Sequence, residues 1–262
     1  MALNPALARM RAGEAALGMI VRLARTGDIA MIAGASGHDF VFLDIQHAAM
    51  SLETASAISL AALGCGVTPI VRVRAFDDLD AARILDAGAM GIVIPDVESA
   101  AQARRAVEIC KFAPLGARSV SAGYPAFGYR AVPAPEAART LNEETLLICM
   151  VETRKGIEHA DEIAAVPGVD VVHVGCSDLL SDLGKPGQYG DPEVIAALEH
   201  VIAVCRRHGK FAGLGGDRDP ARQARFIREG VRFVTTNTDV AFLSAEASRR
   251  TESLRQAIAK AA

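Results

Sequence analysis

The feature that most constrains this chain is a repeated alternation. A short apolar run stops abruptly at a polar residue, and a segment with helix start and stop signals follows. The clearest cases are Leu146-Leu147-Ile148-Cys149-Met150-Val151, which ends at Glu152, and Val169-Asp170-Val171-Val172-His173-Val174-Gly175, after which Asp178 opens a helix. A strand buried on both faces reads as a continuous hydrophobic run, as parallel sheets require. Further strands are predicted at 17–21, at 40–43 ending on Asp44, at 69–71 followed by Arg72, and at 91–94, 210–214 and 232–236. Helices are predicted between them at 28–35, 51–64, 79–86, 99–110, 156–165, 191–208 and 219–230, with a last helix at the C-terminus. Asp191-Pro192-Glu193 is a strong helix start, with Asp at the N-cap and Pro at the first helical position.

Eight such units predict one (β/α)8 TIM barrel spanning residues 1–262, with its active site at the C-terminal ends of the strands. A single interruption, residues 114–135, is rich in Gly, Pro, Ser and aromatics and is predicted to be an irregular loop insertion. It reads equally as a functional lid and as a surface excursion or subunit contact.

The 262 residues are 51% hydrophobic, enough for one large core, and carry a net charge of −3. That balance gives no reason to expect nucleic acid or an anionic membrane as partner. No apolar run approaches bilayer-spanning length, and the N-terminus shows no secretory pattern. Cys65, Cys110, Cys149, Cys176 and Cys205 are odd in number, widely spaced and form no C-x-x-C pair. They read as reduced thiols, so a cytoplasmic protein without a zinc site is expected.

The strand ends carry Asp44 and His47, Arg72, Glu152, Asp178, Gly213-Leu214-Gly215-Gly216, and Asn237 with Asp239. Glu152 and Asp178 are candidate ligands of a hard divalent cation, Mg²⁺, Mn²⁺ or Co²⁺, completed by substrate and water. Singly, Glu152 also reads as an ion pair with Arg154 or Lys155, and Asp178 as a carboxylate favoured at a helix N-terminus. Arg72 suits a carboxylate or a developing oxyanion; its other reading is a salt bridge to Asp44, the reading preferred for Arg22 and Arg74. Asp44, three residues before His47, can orient that imidazole as a base. His173, inside a strand, reads as a buried barrel residue. The glycines read as a phosphate loop or as room for substrate. No lysine lies inside a strand or closes one, which argues against Schiff-base chemistry.

Taken together, Val41-Phe42-Leu43-Asp44-Ile45-Gln46-His47-Ala48, Pro69-Ile70-Val71-Arg72-Val73, Leu85-Asp86-Ala87-Gly88-Ala89, Val97-Glu98-Ser99-Ala100, Val151-Glu152-Thr153-Arg154-Lys155-Gly156 and Gly175-Cys176-Ser177-Asp178-Leu179 form a familiar series. In order and spacing it resembles the HpcH/HpaI family of class II pyruvate aldolases, from about Leu17 to Leu243. The resemblance implies a divalent-metal-dependent lyase that reversibly cleaves a 4-hydroxy-2-oxo acid to pyruvate and an aldehyde. By it, Glu152 and Asp178 match the metal ligands, Arg72 the arginine that holds pyruvate and its enolate, and His47 with Asp44 the acid–base dyad. Asp86 matches a carboxylate placed near a neighbouring subunit's site. Gly175, Cys176 and Ser177 match the segment that contacts the pyruvate carboxylate. A homo-hexamer, a trimer of dimers with the last helix exchanged, is likewise implied.

The chain departs from the family pattern at four points. Gln46 stands where many members carry Glu, Cys176 where Pro is common, and Ser119 after Arg118 where Gly is usual. Gly215 falls where some members place an apolar side chain over the aldehyde. These departures concern the aldehyde half more than the pyruvate half. They leave as alternatives a lyase or decarboxylase on another oxo acid or acyl-CoA, similar to citryl- or malyl-CoA lyases, and a barrel that binds an oxo acid without turnover.

Overall fold

The computed structural model describes residues 2–261. Eight strands, β1 (Ala16–Val21), β2 (Phe40–Asp44), β3 (Thr68–Arg72), β4 (Gly91–Ile94), β5 (Leu146–Val151), β6 (Val171–Gly175), β7 (Phe211–Gly215) and β8 (Val231–Thr238), pair in parallel in chain order and close into a barrel. The helices are α1 (Pro5–Arg11), α2 (Asp28–Ala35), α3 (Leu52–Gly64), α4 (Asp80–Asp86), α5 (Ala100–Cys110), α6 (Ala134–Glu144), α7 (Arg154–Glu158), α8 (Ala160–Ala164), α9 (Cys176–Asp182), α10 (Pro192–His208), α11 (Pro220–Glu229) and α12 (Asp239–Ala261). The expected barrel is therefore the fold.

Alternation along each strand divides the apolar residues into two layers. Phe40, Phe42, Ile70, Leu146, Ile148, Met150, Val171 and Phe233 fill the barrel interior, while Val41, Leu43, Val71, Leu147, Cys149, Val172 and Val174 face the helices. The same period aims the polar strand ends. Asp44 continues the inward series 40, 42; Arg72 continues 70; and Glu152 continues 146, 148, 150. Phe40 stacks on Phe233 with centroids 4.4 Å apart. Gly18 makes that stack possible, because a Cβ there would lie 1.9 Å from the Phe40 ring.

Two helices were not anticipated. In α1, Asn4 caps the helix and its Nδ2 donates to the carbonyls of Met90 and Glu144, which plugs the barrel's lower end with Leu7 and Met10. Asn4-Pro5 is the same cap-and-proline signal that marks α10. The irregular segment ends two residues before 135, where α6 begins, and its only regular piece among the described residues is one 3₁₀ turn, Pro125–Phe127. The single helix expected over 156–165 is two short helices, α7 and α8. No helix among the described residues is long and apolar enough to cross a membrane.

Candidate active site

At the C-terminal mouth of the barrel lies a cavity of about 430 Å³, lined by residues of β1, β2, β3, β5, β6, β7 and β8 and the loops after them. Of the residues singled out in the sequence, His47, Arg72, Glu152, Gly175, Ser177, Asp178 and Gly215 line it.

Glu152 is 3% exposed. Its Oε1 accepts the backbone N–H of Asp96 at 3.0 Å, while its buried Oε2 has no partner among the described residues. Asp96 presents that N–H from a left-handed backbone, φ 53°. Neither of the expected cationic neighbours reaches Glu152: Lys155 binds Glu98 at 3.0 Å and Arg154 faces Glu193 at 3.6 Å. Burial, reinforced by the charges of Asp96 and Asp178, pushes the Glu152 carboxyl up to about 8. Gly175 leaves room for this carboxylate, since a Cβ there would lie 2.5 Å from Oε2. Asp178, exposed, stands in the first turn of α9 beside it. An orphaned, buried carboxylate oxygen next to a second carboxylate is the donor set a hard divalent cation takes. No group of three or more His, Cys, Asp or Glu side chains among the described residues is placed to hold a metal ion, so protein ligation would rest on these two.

Arg72 and Asp44 form a buried bidentate pair at 3.1 and 2.7 Å, and Arg22 Nε donates to the same Asp44 carboxylate at 2.6 Å. Burial opposes the charge on Asp44, but the bonds and charge of Arg72, with Arg22 and the His47 amide, hold its carboxyl below the usual range. His47 meets Asp44 through its backbone N–H, at 3.2 Å, and not through its ring. The expected imidazole–carboxylate bond is thus absent here, because two guanidiniums and two backbone amides occupy the Asp44 oxygens. The His47 ring projects, exposed, into the cavity.

Cys176 lies in the outer apolar layer, and burial raises its thiol to about 12, so only its backbone can face a ligand. Asp86 closes α4 and pairs with Arg118 at 2.6 Å. It lies near the chain's return into β4, at the barrel end opposite the mouth, and does not line this cavity.

The sequence reading also missed cavity residues. Thr235, Thr238 and Arg218 line it, and so do Arg22 and His173, for which the sequence suggests structural roles only. His173 is fully buried, packs edge-on against Phe233 with centroids 5.3 Å apart, and has neither ring nitrogen bonded among the described residues. Burial, with the nearby Arg72 charge, lowers its value to about 3, so it is a neutral imidazole. The β7 glycines make space for it: a Cβ on Gly213 would lie 2.4 Å from Nδ1, and one on Gly215 2.5 Å from Nε2. Both leave room for that side chain, Gly215 also lines the cavity, and inward alternation from Val171 is the signal that aims His173 at it.

Comparison with known proteins agrees with this architecture. The profile of the HpcH/HpaI aldolase/citrate lyase family matches residues 17–245. A 4-hydroxy-4-methyl-2-oxoglutarate aldolase of Hapsidospora irregularis is 43% identical over 75% of this chain and 73% of its own. A pyruvate aldolase of Rhizobium etli is 34% identical over 90% and 91%. The crystal structure of an HpcH/HpaI aldolase from Desulfitobacterium hafniense superposes with a TM-score of 0.90 at 30% identity, covering 95% of this chain and 96% of that one. The chain belongs to the HpcH/HpaI aldolase/citrate lyase family and is a carbon–carbon lyase of the aldolase type.

Proposed function

We propose that this protein is a divalent-cation-dependent aldolase that cleaves a 4-hydroxy-2-oxo acid to pyruvate and a carbonyl compound at the barrel mouth. The observation that carries the reading is the buried Glu152 oxygen, unpartnered among the described residues, in a cavity that Asp178 and Arg72 also line. Glu152 and Asp178 would hold Mg²⁺, Mn²⁺ or Co²⁺, which when bound supplies a Lewis acid for the 2-oxo group. In the cleavage the C3–C4 bond breaks, the C4 hydroxyl loses its proton as it becomes the new carbonyl, and the electron pair moves to C3. That carbon then takes a proton to give the pyruvate methyl group. His47, directly or through a water, carries these protons, since its ring is exposed to the cavity and unpaired among the described residues. Arg72, fixed in orientation by Asp44, offsets charge as it develops on the oxo oxygen. The backbone at Gly175, Cys176 and Ser177 receives the 1-carboxylate.

The decisive experiment is hydrogen–deuterium exchange at the methyl group of pyruvate in D₂O, with chelator-stripped protein and each cation added back. Exchange that depends on the cation is expected; none with any of the three would overturn the reading.

The functional unit is proposed to be a cytoplasmic homo-hexamer with α12 exchanged between subunits. Of α12 only Asp239 is buried, and Val240, Phe242, Leu243, Leu254 and Ile258 are exposed, as are Met31 and Ile32 of α2. Twenty-three helical residues with so little packing in their own chain call for another surface. In such an assembly Asp86 would approach the mouth of a neighbouring barrel. A solution mass of one chain, by light scattering, would overturn it.

A further inference from the structure

We propose that Arg218 binds a carboxylate on the carbonyl half of the substrate, making this aldolase selective for carbonyl partners that are themselves acids. The inference rests on the aldolase reading above and assigns a residue to the part of the cavity that reading leaves unassigned.

The cavity is divided by charge. Glu152 and Asp178 follow β5 and β6, whereas the neighbouring sector, formed by β7, β8 and β1, contributes Arg218, Thr235, Thr238 and Arg22 and no carboxylate to the lining. Arg218 is exposed and makes no hydrogen bond or ion pair among the described residues. Its two acidic sequence neighbours form no ion pair with it among the described residues, and both are bonded elsewhere. Asp217, 2% exposed, is clamped by Arg222 at 2.6 and 2.9 Å. Asp219 caps α11 by accepting the Arg222 backbone N–H at 2.8 Å. The turn that carries Arg218 is held at its other end by Gly216, φ 90°, where a Cβ would lie 2.7 Å from Ser177 Oγ. Arg218 therefore lines the cavity from a turn fixed by the Asp217–Arg222 pair, and its guanidinium, without a partner among the described residues, is free to match a carboxylate bidentately.

Two further observations point to a ligand in this sector. The buried hydroxyl of Thr235 lines the cavity with no partner among the described residues, as does the neutral His173 ring beside it. Among the described residues the Arg22 side chain bonds only through its Nε, to Asp44, and Arg22 lines the same cavity as Arg218. Hydroxyl, neutral imidazole and guanidinium together suit an acidic, oxygen-rich group better than an alkyl chain.

The test compares acceptors in the aldol direction with pyruvate as donor, pairing glyoxylate with acetaldehyde and succinic semialdehyde with butyraldehyde. The native protein is expected to prefer the acid in at least one pair. In Arg218→Ala the ratio of kcat/KM for acid over neutral acceptor should fall roughly 10- to 100-fold, the value of a charge-assisted hydrogen bond. The loss should lie mainly in KM for the acid, and Arg218→Lys should restore part of it. An unchanged ratio, or an equal loss for both members of each pair, would overturn the assignment. Deuterium exchange into pyruvate separates the two readings. Exchange with no acid preference overturns the Arg218 proposal alone, whereas no exchange overturns the aldolase reading and this proposal with it.

Discussion

Glu152→Gln should abolish divalent-cation binding and, in the absence of cation, make the protein more stable. The two effects have one cause. In the native chain a carboxylate sits 3% exposed with one oxygen unpartnered, close to Asp96 and Asp178. Without a cation, that group favours its protonated form, up to about pH 8. A carboxyl whose folded value is raised contributes stability that is present in full below its ordinary range and is lost as pH rises through about 8. Glutamine keeps the shape and the acceptor for the Asp96 N–H but carries no charge, so it escapes that loss. Sparing the chain the cost of that raised value stabilises it by roughly 1–3 kcal/mol, a shift of several degrees in Tm for a chain of this size. With cation the order reverses. Saturation at 100 times Kd adds about 2.7 kcal/mol to a chain that binds the ion, and the variant should show no such gain. Thermal unfolding at pH 7 and pH 9, with chelator and with Mn²⁺, reads both effects. A cation-induced rise in Tm as large as that of the native chain would remove Glu152 from the ligand set.

The barrel was legible because its signal is periodic and redundant. Eight short apolar runs alternating with helix signals leave few other architectures, and boundaries such as 28–35 and 91–94 agree to the residue. The family resemblance also stands, on motifs spread over nearly the whole chain. Less legible was anything set by a partner distant in sequence. Asp44 and His47, three residues apart, invited a local pairing; the structure gives the carboxylate to Arg72 and Arg22, which reach it from neighbouring strands. Spacing cannot report such competition. The β7 glycines also leave room for His173, which lies on another strand, and spacing within β7 does not show that. Arg218 carries no sequence signal of its own: it stands between Asp217 and Asp219, and only the structure shows that Arg222 takes Asp217.

The Asp44–Arg72 pair gives the largest expected stability effect. Asp44 is fully buried, and Arg72 is 5% exposed above the Phe42 ring, 5.6 Å from its centroid. Arg72→Ala leaves Asp44 with Arg22 and two backbone amides, so the charge stays inside with its bidentate partner gone. Breaking a buried pair from one side costs about 3–5 kcal/mol, and the remaining Arg22 contact puts the expected loss near the lower bound. The pH dependence identifies the cause. Asp44 has its folded value held below the usual range, so its contribution is present above that range and is lost as pH falls through the folded value. In Arg72→Ala that value rises, and the acid limb of the stability curve should move to higher pH. Asp44→Asn in the Arg72→Ala background removes the stranded charge and should recover part of the loss, a coupling that denaturant unfolding of the four chains would measure. Cation binding should persist in Arg72→Ala, because neither carboxylate of the proposed cation site is altered, while cleavage is lost. If the double variant regains stability without activity, the pair has two separable functions: Asp44 to keep a guanidinium charged and aimed in an apolar barrel, and Arg72 to face the oxo oxygen. Full activity in Arg72→Ala would reduce the pair to scaffold and move the oxyanion partner elsewhere in the cavity.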